Sequence, residues 1–105
     1  MSKVLRSLQT VVLRNGDQRA ITLCVEPWAN EYSMPAGAEW TLEVEGPAYP
    51  DAKITVEREA DRLVAFAWDG SDFRLLDSDG KVLEDWSGIR VPDFHELEQQ
   101  RHGKA

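Results

Sequence analysis

At 105 residues, with 42% hydrophobic and 30% charged residues, the chain is sized for one globular domain with one core, which excludes a cofactor domain beside a substrate domain. The single Cys excludes an internal disulfide, and no apolar run reaches the roughly 20 residues that span a bilayer. The net charge of −7 is concentrated in the middle of the chain, a surface that repels phosphate, so neither nucleic acid nor an anionic membrane is an expected partner.

The N-terminal stretch MSKVLRSLQ has no apolar h-region, so the expected location is the cytoplasm. The segment from Val4 to Leu13 reads as a strand, although neither parity is cleanly apolar. Asn15-Gly16 follows it between two apolar runs, the pattern of a tight hairpin into Ile21 to Glu26. In that second strand Ile21, Leu23 and Val25 alternate with Thr22, Cys24 and Glu26, and the semi-polar second face marks it as central. Pro27 removes an amide donor, so pairing stops at Glu26.

A connector, EPWANEYSMPAG, leads to the clearest strand, in which Trp40, Leu42 and Val44 alternate with Glu39, Thr41, Glu43 and Glu45. From there successive turns suggest successive hairpins. A loop over Gly46 to Ala52 sets Val44 against Ile54 and Leu42 against Val56. A three-residue loop, Ala60 to Arg62, sets Val56 against Phe66 and Ile54 against Trp68, keeping Val64, Phe66 and Trp68 inside. Asp69-Gly70 then opposes Phe66 to Phe73 and Val64 to Leu75. The turn DSDGK, with a left-handed Gly80, opposes Leu75 to Leu83 and Arg74 to Glu84. Because each turn preserves one apolar face, the expected fold is mainly β: an antiparallel meander of six to seven strands forming a small barrel or a sandwich. Asp93 with Glu96, and Phe94 with Leu97, predict one short C-terminal helix from about residue 93 to about residue 100. Residues 1–100 then form a single all-β domain and 101–105 a flexible tail.

Chemistry is sparsely encoded. His95, His102 and Cys24 have no zinc-ligand spacing, and Asp77-Ser78-Asp79-Gly80 begins like a calcium loop without the closing Glu, so no metal and no cofactor is expected. Cys24, mid-strand among Ile21, Leu23 and Val25, behaves as a small hydrophobe. No GxSxG elbow, P-loop or GxGxxG is present. The candidate site is the connector, Pro27 to Gly37, with Trp28, Glu31 and Tyr32 as binding residues and Glu26 and Glu31 as the only catalytic candidates. Two carboxylates beside aromatics suit a cationic or sugar-like ligand, or general acid/base work if one carboxylate is desolvated. In the competing reading Trp28 plugs one end of the fold, Tyr32 and Met34 continue a strand, and the glutamates are wet.

At EPWANEYSMPAGAEWTLEVEGP the chain resembles short bacterial all-β proteins in which a strand ending Glu-Pro-Trp is followed by an acidic-aromatic pair and Pro-x-Gly. That resemblance implies a small bacterial all-β domain and supplies no activity. The Pro-Ala-Gly-x-x-Trp segment is also similar to the glycine turn of cupin barrels, whose histidine and glutamate ligands are missing here. The expected function is a non-enzymatic binding or interaction module using the loop Pro27 to Gly37, with a protein or small molecule as partner. Two alternatives stand beside it: a small hydrolase or isomerase using Glu26 or Glu31 in a barrel mouth, and a homo-oligomeric structural protein, for which a homodimer is the simplest form.

Overall fold

The structure, a computed structural model, describes residues 5–88. Eight strands occupy them: β1 (Arg6–Arg14), β2 (Ile21–Glu26), β3 (Asn30–Met34), β4 (Glu39–Pro47), β5 (Thr55–Glu59), β6 (Arg62–Phe66), β7 (Asp72–Leu76) and β8 (Val82–Asp85). They form two four-stranded sheets, ordered β1-β4-β7-β8 and β3-β2-β6-β5. The sheets are open and hold eight strands where six to seven are expected, so the mainly β expectation holds as a sandwich while the barrel and the strand count do not. No helix occurs among the described residues. The predicted helix near residues 93–100 and the predicted tail lie outside them.

One buried cluster joins the sheets. Leu13, Leu42, Val44, Phe73 and Leu75 contribute from the first, and Ile21, Leu23, Val25, Met34, Leu63 and Ala65 from the second. Period-two alternation therefore works for β2 and β4 as the sequence implies, and Trp68 is buried with them. Trp40 is only partly buried, packed against the same cluster.

The meander does not survive. Each of β2 and β6 has a neighbour on both sides in its sheet, and the two pair in parallel, Cys24 opposite Val64 and Val25 opposite Ala65. β4 pairs with β1 and β7, so Val44 meets Gln9 and Phe73, and Leu42 meets Val11 and Leu75, in place of Ile54 and Val56. The Asp69-Gly70 turn forms, whereas no tight turn forms at Asn15-Gly16 and the chain bends over residues 17–19; each of these connections carries the chain from one sheet to the other and closes no hairpin. The β5–β6 hairpin uses a two-residue loop, Ala60-Asp61, which sets Val56 opposite Ala65 and Thr55 opposite Phe66. Phe66 therefore points away from the core and is 38% exposed. The buried residues there are Leu63, Val64 and Ala65, an apolar run covered on both faces as central strands often are.

The last hairpin forms as predicted around a left-handed Gly80 (φ +82°), with Leu76 opposite Val82. An irregularity between Leu75 and Leu76 then shifts the register by one, so that Leu75 meets Glu84 and Arg74 meets Asp85. That shift places Glu84 beside the core, opposite the buried Leu75.

Candidate functional site

β3 and β8 are edge strands of different sheets, and the half-buried aromatic residues gather where these edges approach. Trp28 sits in the turn between β2 and β3, where the Glu26–Pro27 peptide is cis and Ala29 adopts a left-handed φ of 61°. Its ring tilts onto Phe73 with centroids 4.6 Å apart. Trp86, just past β8, stacks on the same phenyl ring at 6.0 Å with planes 9° apart. Phe73, almost fully buried, is thus shared between two indoles that each keep part of their surface in water.

Tyr32 extends the cluster. It lies opposite Leu23 and so shares the core-facing side of β3, and its hydroxyl accepts a hydrogen bond from Asn30 Nδ2 at 3.2 Å. Burial pushes the Tyr32 phenol above its ordinary value of 10.0; the Asn30 hydrogen bond opposes this and the nearby Glu84 carboxylate adds to it. Glu84 in turn accepts the Trp86 indole N–H at 3.1 Å. One carboxylate therefore bonds Trp86 and acts electrostatically on Tyr32, while Trp86 and Trp28 both pack on Phe73.

Two of the three predicted binding residues, Trp28 and Tyr32, meet at this edge. Glu31 does not: it is opposite Cys24, on the outer face of the other sheet, where Arg62 Nη2 lies 3.4 Å from its carboxylate and 2.8 Å from Cys24 Sγ. Glu26 shares that outer face, in register with Phe66. The barrel mouth proposed for Glu26 and Glu31 is absent because the sheets are open. Sequence reasoning missed Glu84 and assigned Trp86 no partner. The usable signal was their spacing, since residues two apart on an extended segment share a side, and a Glu beside a Trp at core-facing parity is unusual enough to notice.

A concavity lies elsewhere, on the outer face of the β1-β4-β7-β8 sheet: a shallow cavity of about 270 Å³ bordered by Glu43, Glu45, Asp72 and Arg74. Its charges already satisfy one another. Glu43 pairs with Arg74 at 2.6 Å, Glu45 with Arg6 at 2.8 Å, and Asp72 accepts the Gly88 amide at 2.9 Å. A ligand there would have to displace these partners, whereas the aromatic edge offers ring faces and a carboxylate together.

Among the described residues no group of His, Cys, Asp and Glu is placed to hold a metal ion, and no helix is long and apolar enough to cross a membrane. Comparison with protein-family models, curated proteins and solved structures yields no match to this chain.

Proposed function

We propose that the protein is a non-enzymatic binding module whose contact surface is the aromatic edge formed by Trp28, Tyr32, Trp86 and Glu84, and that it takes a lysine- or arginine-bearing segment of a protein partner. The observation that carries the proposal is the carboxylate beside half-exposed rings: Glu84 accepts the Trp86 indole N–H, Trp86 shares Phe73 with Trp28, and the Glu84 charge is felt at Tyr32. A cation at that point gains both the ring quadrupoles and a charge-assisted hydrogen bond. The net charge of −7 favours the same kind of partner and speeds its approach. The loop Pro27 to Gly37 enters this reading through Trp28 and Tyr32, while Glu31 stands aside on the outer face.

The test must separate this edge from attraction to an acidic protein in general. Titration of intrinsic Trp fluorescence with a lysine/arginine dodecapeptide is expected to saturate, and a glutamate dodecapeptide is expected to give no response. Glu84→Gln keeps a hydrogen-bond acceptor for Trp86 but removes the charge. It should weaken binding by about tenfold, the scale of one charge-assisted contact, with an unchanged unfolding midpoint. Glu57→Gln, on exposed β5, should change it less than about twofold. Equal losses in the two variants would reduce the effect to net charge and remove the site.

A further inference from the structure

Four edge strands flank the two sheets, and three are poor templates for another strand. β8 has four residues and an irregularity in its pairing, β3 has five including the charged Glu31, and β5 has five including Glu57, Arg58 and Glu59. β1 differs: nine residues, no Pro, no Gly and no charge between Ser7 and Leu13. Its outward residues Leu8 and Val12 are 63% and 58% exposed.

The backbone of β1 is also open. Leu5 accepts the Ala48 amide at 2.7 Å and Asn15 donates to Ala38 at 2.9 Å, so the odd-numbered residues exchange hydrogen bonds with β4. By alternation, the N–H and C=O groups of Leu8, Thr10 and Val12 face away from β4. The segment following Ala52 closes the sandwich near β1, but it does so through the Gln9 side chain, which donates to Ala52 O and accepts from Ile54 N. The edge itself keeps no backbone partner among the described residues.

We infer that β1 pairs antiparallel with β1 of a second copy, extending one sheet through a two-fold axis at Val11. Charge selects this register. Aligning Thr10 with its own copy would set Arg6 against Arg14 of the partner subunit, two like charges. Centring on Val11 instead lays Arg14 across Leu8 of the partner subunit, whose neighbour on β4 is Glu45. Two strand spacings, about 10 Å, lie within the combined reach of an arginine and a glutamate. Arg14 has no ion pair among the described residues, and the Glu45 side chain is half exposed despite its contact with Arg6. Val12 then meets Thr10 on the same outer face. Residues 1–16 contain no Asp or Glu, so this edge is the part of a −7 chain least opposed to self-association.

Light scattering and sedimentation of the full chain from about 1 to about 100 µM should show a monomer passing to a dimer, a range suited to an interface of one strand pair. Arg14→Glu should raise the dissociation constant at least tenfold by placing like charges at two symmetric positions, about 1.4 kcal/mol or more. Arg14→Glu with Glu45→Arg should recover most of it. Both positions are solvent-facing, and circular dichroism checks that the variants keep their strands. A monomer at every concentration overturns the inference, whether the edge is bare or covered by another part of the chain. So does a dimer indifferent to Arg14→Glu and to Val12→Lys, or a loss that Glu45→Arg fails to rescue.

Discussion

Three backbone carbonyls converge on one amide in this molecule. Asn15 is fully buried, and its Nδ2 lies 2.9 to 3.0 Å from the carbonyls of Arg19, Met34 and Pro35. Its Oδ1 accepts the Asp17 amide at 2.9 Å, and its own backbone bonds both Ala38 and Gly37. One side chain thus ties the end of β1 to the end of β3 and to the turn that opens β4. Asn15→Ala leaves the buried Met34 carbonyl without its donor and removes the two part-buried bonds to Arg19 and Pro35, and should cost about 2 to 4 kcal/mol, seen as a lower urea midpoint at constant slope. Asn15→Asp, which keeps the size but offers no donor, should lose a comparable amount. The sequence marks this position only as a turn. Asn-Gly was legible as a reversal, but whether the next strand pairs back or crosses to another sheet depends on carbonyls nineteen and twenty residues away.

At the scale of elements, strand identity was largely readable and strand partnership was not. β2 and β4 announce themselves by alternation, and the left-handed Gly37 (φ +75°) and Gly80 sit where the turns require them. Phe66 was placed inside because its parity matched Trp68, whereas the buried set in β6 is Leu63 to Ala65. A strand covered on both faces has no parity to read. Gly46 shows the same limit from the other side, since it looked like the start of a loop yet lies within β4 beneath Trp68. A Cβ there would lie 2.7 Å from Ser71 Cβ and 2.9 Å from Trp68 Nε1, the atom that donates to Pro47 O at 2.8 Å. Gly46→Ala should therefore destabilise the fold by about 1 to 3 kcal/mol through overpacking. A red shift of Trp68 emission should accompany it; unchanged stability would mean that the crossing after β6 has more room than this geometry allows.

At the scale of the whole molecule, the two sheets meet mainly through an apolar core, with polar contacts at its margins: Asn15 at the end of β1, Gln9 beside the segment after Ala52, and a carboxylate and a phenol at the β3/β8 edge. Distant residues form this edge, Tyr32 from one sheet and Glu84 from the other, and the one-residue shift in β8 brings Glu84 to it. Local turn rules could not have foreseen that arrangement. It gives the fold a defined response to alkali. The Tyr32 phenol titrates above its ordinary value of 10.0 in the folded chain, chiefly because burial opposes the phenolate and further because Glu84 repels it. Since the folded-state pKa is the higher one, the stabilisation is fully present below pH 10. It is lost as pH rises through the folded value, because the unfolded chain releases its proton first. Tyr32→Phe removes the titration together with the Asn30 hydrogen bond. The stability difference between wild type and variant should therefore be constant from pH 7 to about pH 9.5 and then move steadily against the wild type. Urea unfolding at intervals between pH 7 and pH 11 measures that difference, and other tyrosines and lysines titrate in both proteins and cancel. A difference that stays flat to pH 11 would place Tyr32 in water, away from Glu84, and take the aromatic edge apart at its central residue.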